Sequence, residues 1–249
     1  MNGGLVRHIV VLLGIFLTGH VSAAEATTDR EWNYLAEVYL WGPDIDIEAV
    51  DGTHQEVKFS DLVDITKGGF MGGLYGQRGK WRFGVDGIYL KADDRINASL
   101  VEGLRLSEAE LQVWYAAPMI AYQLASYDQS EFYVYGGARF LWAEYTFVFK
   151  TDPPLPPEKL QSSESDDIWD GFVGLHGMTR LSDRWYLSYQ GDIGAGDSDA
   201  VYQLAAGLNY RFTRVDLALG YRYLGWDMDS SLFNELEFNG FYAGAKIYF

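Results

Sequence analysis

A set of ionisable residues recurs on the polar parity of stretches that otherwise alternate apolar and mixed. They are Glu37, Asp86, Glu110, Arg139, Asp170, Asp192, Arg211, Asp216, Arg222 and Lys246, with His176 on the same face as Asp170. Both signs are present. Gathered in one interior, such groups can pair and fill it, line a narrow water path, or act as acid and base. Catalysis needs a base poised beside a nucleophile or a water. Outside the amino-terminal leader only His54 and His176 are available, and His54 falls in a turn beside Gly52. Asp170 lies six residues from His176, too far to pair with it as a direct neighbour. No serine elbow, zinc spacing or phosphate-cradling glycine loop is present. The expectation is no enzymatic activity, no cofactor and no metal centre. A carboxylate brought to His176 from another strand stays open as the alternative.

These charges must be positioned by strands. The final stretch, Phe238 to Phe249, places Phe241, Ala243, Ala245, Ile247 and Phe249 on one parity. Tyr242, Gly244, Lys246 and Tyr248 fall on the other, a period-2 pattern with one greasy face. The same alternation recurs along the chain. It predicts strands over Trp32 to Trp41, Gly69 to Arg78, Trp81 to Ala92, Ser107 to Leu124, Glu131 to Phe149 and Ile168 to Leu181. Four more follow over Trp185 to Ala195, Val201 to Phe212, Val215 to Leu224 and the carboxy-terminal stretch.

Gly42-Pro43 is read as the break that ends the first strand. Asp44 to Phe59, around Asp51-Gly52, reads as a projecting hairpin, and Ser60 to Lys67 as a short helical turn. Asp93 to Arg105 reads as a polar loop. Lys150 to Asp167, with the run Pro153 to Pro157, reads as the longest irregular stretch, stiffened by its prolines.

Composition narrows where such a sheet can sit. Arg7 and His8 precede the short apolar run Ile9 to Leu17, and Val21-Ser22-Ala23 offers small residues for cleavage. This predicts a secretory signal over residues 1–23 and one domain over 24–249. The apolar run is too short for a spanning helix, which needs about 20 residues. Aromatics make up 16% of the chain, with 18 Tyr and 8 Trp, side chains suited to a membrane–water interface. Cysteine is absent, so no disulfide and no lipidated cysteine is available. A net charge of −16 argues against nucleic acid as a partner.

The strands therefore predict an all-β fold: a closed antiparallel transmembrane β-barrel of about ten strands, with eight or twelve as alternatives. Connections alternate short and long, which predicts periplasmic turns at one end, extracellular loops at the other and both termini in the periplasm. Two aromatic girdles follow. Trp81, Phe132, Trp185, Phe212 and Phe249 lie at the short-turn ends, and Tyr89, Trp142, Trp169, Tyr202 and Tyr223 at the long-loop ends.

The leader, the alternating strands and the terminal Tyr248-Phe249 resemble Gram-negative outer-membrane barrels of the small porin and OmpA/OmpW-like class. The segments Tyr39-Leu40-Trp41, Phe59-Ser60-Asp61-Leu62 and Gly84-Val85-Asp86-Gly87-Ile88-Tyr89 are also similar to a family of uncharacterised proteobacterial barrel proteins. The resemblance implies an outer-membrane location. It implies outer-membrane lipid and lipopolysaccharide as surroundings, and periplasmic chaperones and the barrel assembly machinery as partners in biogenesis. It also implies that Phe241, Tyr242, Ile247, Tyr248 and Phe249 form the assembly signal.

The inward charges then carry the functional expectation. One reading is a narrow, porin-like channel for small solutes, with a continuous water path past Arg139, Arg211, Arg222 and Asp86. The other is a closed structural or surface-interaction barrel. It would work through its acidic loops, where divalent cations could bind clustered carboxylates such as Asp44, Asp46, Glu48 and Asp61.

Overall fold

The structure is a computed structural model that describes residues 31–49, 52, 54–94, 98–101, 104–151, 159–228 and 233–249. The expected signal, the Pro153 to Pro157 run and Asp51 lie outside the described residues. The elements are β1 (Asn33–Ala49), β2 (His54–Val57), α1 (Phe59–Ile65), β3 (Thr66–Arg78), β4 (Trp81–Asp94), β5 (Ala98–Val101) and β6 (Leu104–Ser126). They continue with β7 (Ser130–Thr151), β8 (Lys159–Arg180), β9 (Trp185–Gly196), β10 (Ala200–Arg211), β11 (Val215–Asp227) and β12 (Phe233–Tyr248).

Among the described residues, twelve strands join one antiparallel sheet. Two of them, β2 and β5, are short side strands on β1 and β6, so ten form the wall. β12 pairs with β1 from Leu35↔Tyr248 upward and closes the ring. The ten-strand expectation is met.

The barrel is inside-out relative to a water-soluble one. Its outer face carries Leu40, Leu74, Val173, Leu175, Ile193, Leu204, Leu219 and Phe241, all more than half exposed. Its interior buries Arg139, Asp170, Asp192, Gln203, Asn209, Asp216 and Arg222, each below 9% exposure. A contiguous exposed apolar surface is unfavourable in water, whereas a belt of alternating outward apolar residues is the pattern of a membrane-spanning barrel. Trp32, Trp81, Trp185, Phe212 and Phe249 lie outward at the short-turn end. Near the other end, Trp169 packs on Phe140 at 4.5 Å and Tyr89 on Trp114 at 4.4 Å.

The connections at the Gly79-Lys80 end are short. Gly79 takes φ +57°, the left-handed value that a two-residue hairpin needs. At the opposite end the connection from β1 to β3 carries β2 and α1, and that from β4 to β6 carries β5. A third connection at this end, residues 197–199 between β9 and β10, is as tight as the turns below.

Three expectations are corrected. First, β1 runs through Gly42-Pro43 without a break, because Pro43 stands where no ladder needs its missing N–H. β3 pairs with β1 only at Asn33 to Val38, and β2 only at Ile45 to Glu48. In the gap, the Trp41 amide donates to Met71 Sδ at 3.3 Å, so the next N–H on that side would be that of Pro43. Asp44 Oδ1 accepts from the Phe59 amide at 2.8 Å at the start of α1, and the Phe59 ring fills the space above Gly42. The short helix expected near Ser60 is therefore α1, seated on the flank of the barrel.

Second, Lys150 to Asp167 is largely strand. β7 extends to Thr151, β8 starts at Lys159, and the two pair in register from Leu141↔Ile168 to Lys150↔Lys159. Both faces of this part of β8 meet water, so no greasy parity marks it in sequence. Third, the Asp93 to Arg105 region contains β5, which folds back on β6 at Ala98↔Leu106.

As a result β6, β7 and β8 have 23, 22 and 22 residues, against 12, 12 and 13 for β9, β10 and β11. Three strands thus stand above the ring as a blade.

Candidate functional site

The interior of the barrel is the candidate site, and its side chains form three layers. Strand parity places them there. On each wall strand every second residue turns inward, so one polar parity per strand is enough to fill the lumen.

The middle layer is a single connected network. Arg222 (β11) donates to Asp86 Oδ2 (β4) at 3.2 Å, to the Tyr39 hydroxyl (β1) at 3.2 Å, to Gln203 Oε1 (β10) at 2.9 Å and to the Tyr115 hydroxyl (β6) at 3.3 Å. Arg139 (β7) donates to the same Tyr115 hydroxyl at 3.2 Å and to Asp192 Oδ1 (β9) at 2.8 Å. Asp192 Oδ2 accepts from Tyr135 at 2.6 Å and from Gln203 Nε2 at 3.1 Å. Tyr39 in turn donates to Asp86 Oδ1 at 2.7 Å.

Two arginines and two aspartates balance in charge, and the phenols and the glutamine add further hydrogen bonds to them. The guanidiniums also lie over aromatic faces: Arg222 is 4.8 Å from the Trp41 ring centre and Arg139 is 4.7 Å from that of Phe172. Arg139 Nη1 has no hydrogen-bond partner and is buried. The side chains of Arg139 and Asp192 are 1% and 0% exposed, so at this level the lumen is filled rather than lined.

The upper layer lies toward the long-loop end. Trp226, Leu224 and Val201 are almost fully buried, and Trp226 packs edge-on against Phe238. Asp170 is the buried charge beside them among the described residues. It accepts from Trp226 Nε1 at 3.1 Å, from the Ser198 amide at 3.0 Å and from Ser198 Oγ at 2.7 Å. The neighbouring Asp197 accepts from the Trp169 amide at 2.8 Å. The Asp197-Ser198-Asp199 turn is therefore tied into the top of the barrel.

The lower layer lies toward the short turns. Asp216 Oδ2 accepts from Tyr186 and from Tyr248, each at 2.7 Å, with Arg211 at 3.7 Å. Lys246 donates to Asn209 at 2.9 Å. Across the lumen, Arg82 donates to Gln77 at 2.8 Å and stacks 4.5 Å over Tyr133, whose hydroxyl donates to Glu131 at 2.9 Å. His176 stands against the Tyr133 ring, and Glu37 lies opposite Lys246 in register. Asp170 is committed to Ser198 and Trp226, well up the strand from His176.

One candidate lies elsewhere. Glu110 is on the outer parity of β6 and pairs with Lys91 at 3.6 Å, half exposed. With Glu110 expected in the interior, the greasy parity of β6 would face outward. The structure buries Tyr115, Ala117 and Ala121 of that parity and exposes Trp114. Facing inward, the Tyr115 hydroxyl accepts from both arginines. Glu110 can face out because it sits where β6 rises above the outward apolar belt.

The network also includes Tyr39, Tyr115, Tyr135 and Gln203, which are not among the charged candidates. A signal was available, since three of these four share a parity with a candidate charge on their own or an adjacent strand. Among the terminal aromatics, Phe241 and Phe249 are exposed on the outer face, while Tyr242 packs on Tyr39 inside. Among the described residues, no three histidine, aspartate or glutamate side chains converge as a metal site.

No known protein family matches the chain, and no curated protein matches it. Solved structures that share its outline are distant. Neisserial surface protein A is 14% identical, with 88% of this chain and 97% of that one covered at a TM-score of 0.33. The translocator domain of the autotransporter NalP from Neisseria meningitidis is 12% identical, with 87% and 88% covered at 0.41. Ail, the attachment invasion locus protein of Yersinia pestis, is 10% identical, with 88% and 99% covered at 0.35. The barrel described here rests on this chain's own ladders and exposed apolar belt.

Proposed function

We propose that this chain is a Gram-negative outer-membrane barrel with a lumen sealed at mid-height, and that it works at its outer end as a surface-interaction protein. The middle layer carries this reading. It joins side chains from β1, β4, β6, β7, β9, β10 and β11, and both of its arginines are buried. A water-filled conduit would leave such charges hydrated. Here they are held by protein partners and roofed by Trp226 and Leu224. The leader-like amino-terminus and the aromatic final strand support export, delivery to the barrel assembly machinery and insertion. On this reading lipopolysaccharide surrounds the end from which β6, β7 and β8 rise, and both termini face the periplasm.

The test is conductance of the refolded protein in a planar bilayer, beside an Arg139→Ala/Arg222→Ala variant. Folding of both is checked by electrophoretic mobility with and without heating. The expected result is a silent native barrel and steady openings in the variant, whose central cross-links are gone. Steady openings of the native protein would sink the sealed-lumen reading and establish instead the narrow channel for small solutes.

A further inference from the structure

Where the blade leaves the ring, β8 loses one of its neighbours. β7 pairs with it along its whole length, up to Lys150↔Lys159, but β9 pairs only from Asp170↔Gly196 downward. The last contacts on that side are at Trp169, whose carbonyl accepts from the Asp197 amide at 2.9 Å and whose amide donates to the Asp197 carboxylate. An antiparallel strand turns its N–H and C=O groups to alternate sides. Trp169 turns toward β9, so Asp167, Ser165, Ser163 and Gln161 turn their backbone groups the same way, and among the described residues no strand meets them there. The Asp167 amide satisfies itself on the Asp166 carboxylate at 3.0 Å, as expected for a donor facing open space. Every residue from Gln161 to Asp167 is exposed. The open edge from 159 to 168 runs about 30 Å along the strand.

Below Lys159, from Gln161 to Asp167, the charge along this edge is of one sign. Glu164, Asp166 and Asp167 bring three carboxylates, and Glu144 on β7 holds the Ser163 hydroxyl at 3.1 Å on the outer face. On the inner face Glu164 lies opposite Tyr145 in register, and Tyr145 and Phe147 are both more than one-third exposed. A second copy of the same edge would set carboxylate against carboxylate, which opposes self-pairing. An incoming strand with cationic side chains at alternate positions would meet Glu164, Asp166 and the Tyr145 ring instead.

We propose that the upper edge of β8, from Gln161 to Asp167, is a docking edge that takes an extended basic polypeptide segment as an additional β-strand. This inference rests on the reading that the outer end is the working end. It does not depend on the lumen being sealed, so conductance and peptide capture fail separately.

The experiment uses the refolded protein in lipid nanodiscs and a fluorescently labelled peptide of alternating lysine and threonine, followed by anisotropy. The native barrel should bind it, and more weakly as salt is added. Ser165→Pro deletes one open-edge donor without touching the β7 ladder and should weaken binding about tenfold, whereas Ser165→Ala should not. Glu164→Gln/Asp166→Asn should weaken binding and flatten its salt dependence, and it keeps the test intact if the proline variant does not fold. A peptide of alternating lysine and proline, equal in charge but unable to form the ladder, should bind at least tenfold less. Equal binding of the lysine–proline peptide or of a glutamate–threonine peptide would overturn the proposal. Equal binding by folded Ser165→Pro, or no binding by the native barrel, would also overturn it.

Discussion

The Arg139–Asp192 pair offers a quantitative test of whether the lumen is filled or wet. At 2.8 Å the gross attraction is about 6 kcal/mol at an effective dielectric near ~20 and about 1.5 kcal/mol in bulk water. Net values are smaller because both ions are desolvated on folding. Breaking a buried, hydrogen-bonded pair by removing one partner costs about 3–5 kcal/mol, while a hydrated pair is worth about 0–1 kcal/mol. With side chains 1% and 0% exposed, the structure places this pair in the first regime.

Arg139→Met keeps bulk against Phe172 and leaves Asp192 Oδ1 without a donor, although Tyr135 and Gln203 still serve Oδ2. Its expected cost is about 3–5 kcal/mol. Asp192→Asn leaves Arg139 buried without its counter-charge, at a similar cost. The double variant strands no ion, so it should recover about 2–3 kcal/mol relative to the sum of the single effects. The assay is reversible urea unfolding of the refolded barrel in lipid vesicles, followed by tryptophan fluorescence. Additive effects, or a cost below about 1 kcal/mol for Arg139→Met, would show that water reaches the pair. The sealed middle layer would then be wrong.

Three further outcomes follow. Leu219→Arg places a cation on the outer face midway between the girdles and should cost about 2–4 kcal/mol in vesicle unfolding; a neutral result would contradict a lipid-facing position. Gly137→Ala would put a Cβ 2.0 Å from the Pro118 carbonyl oxygen, so it should destabilise by about 1–3 kcal/mol, whereas Gly68→Ala meets nothing within 4 Å and serves as the control. Ser198→Ala removes the hydroxyl from buried Asp170 but leaves the amide, and it should lower stability by about 1–2 kcal/mol; an unchanged unfolding midpoint would refute the role given to that turn.

The wall was legible because a membrane writes its demand into every second residue. Val215, Leu217 and Leu219 against Asp216 and Arg222 could be read from sequence alone. That writing stops where the membrane stops. Gln161 to Asp167 has water on both sides, and its strand character comes from pairing with β7, which no local pattern records. Glu110 shows the same limit from the other side. A carboxylate above the apolar belt can face out, so polarity ceases to report which way is in. The site was legible as individual charges but not as a network. That Arg222 meets Asp86 rather than Asp192 depends on the stagger between strands around the ring, which sequence does not contain. Pro43 misled for a related reason. A proline ends a strand only where its N–H is wanted, and at that point β1 has no partner waiting on that side.

The seam between β1 and β12 has a consequence for how the molecule is made. Tyr34 and Phe249 exchange both backbone hydrogen bonds, at 3.0 and 3.1 Å, so the ring is completed by strands from opposite ends of the chain. A wall that lacked β12 would be an open sheet with two bare edges and a greasy outer face. Such species are sticky, and contacts between segments so remote in sequence form late and slowly. The circular architecture thus turns the order of synthesis into a waiting time, during which the chain must be kept from neighbours offering the same unpaired edge.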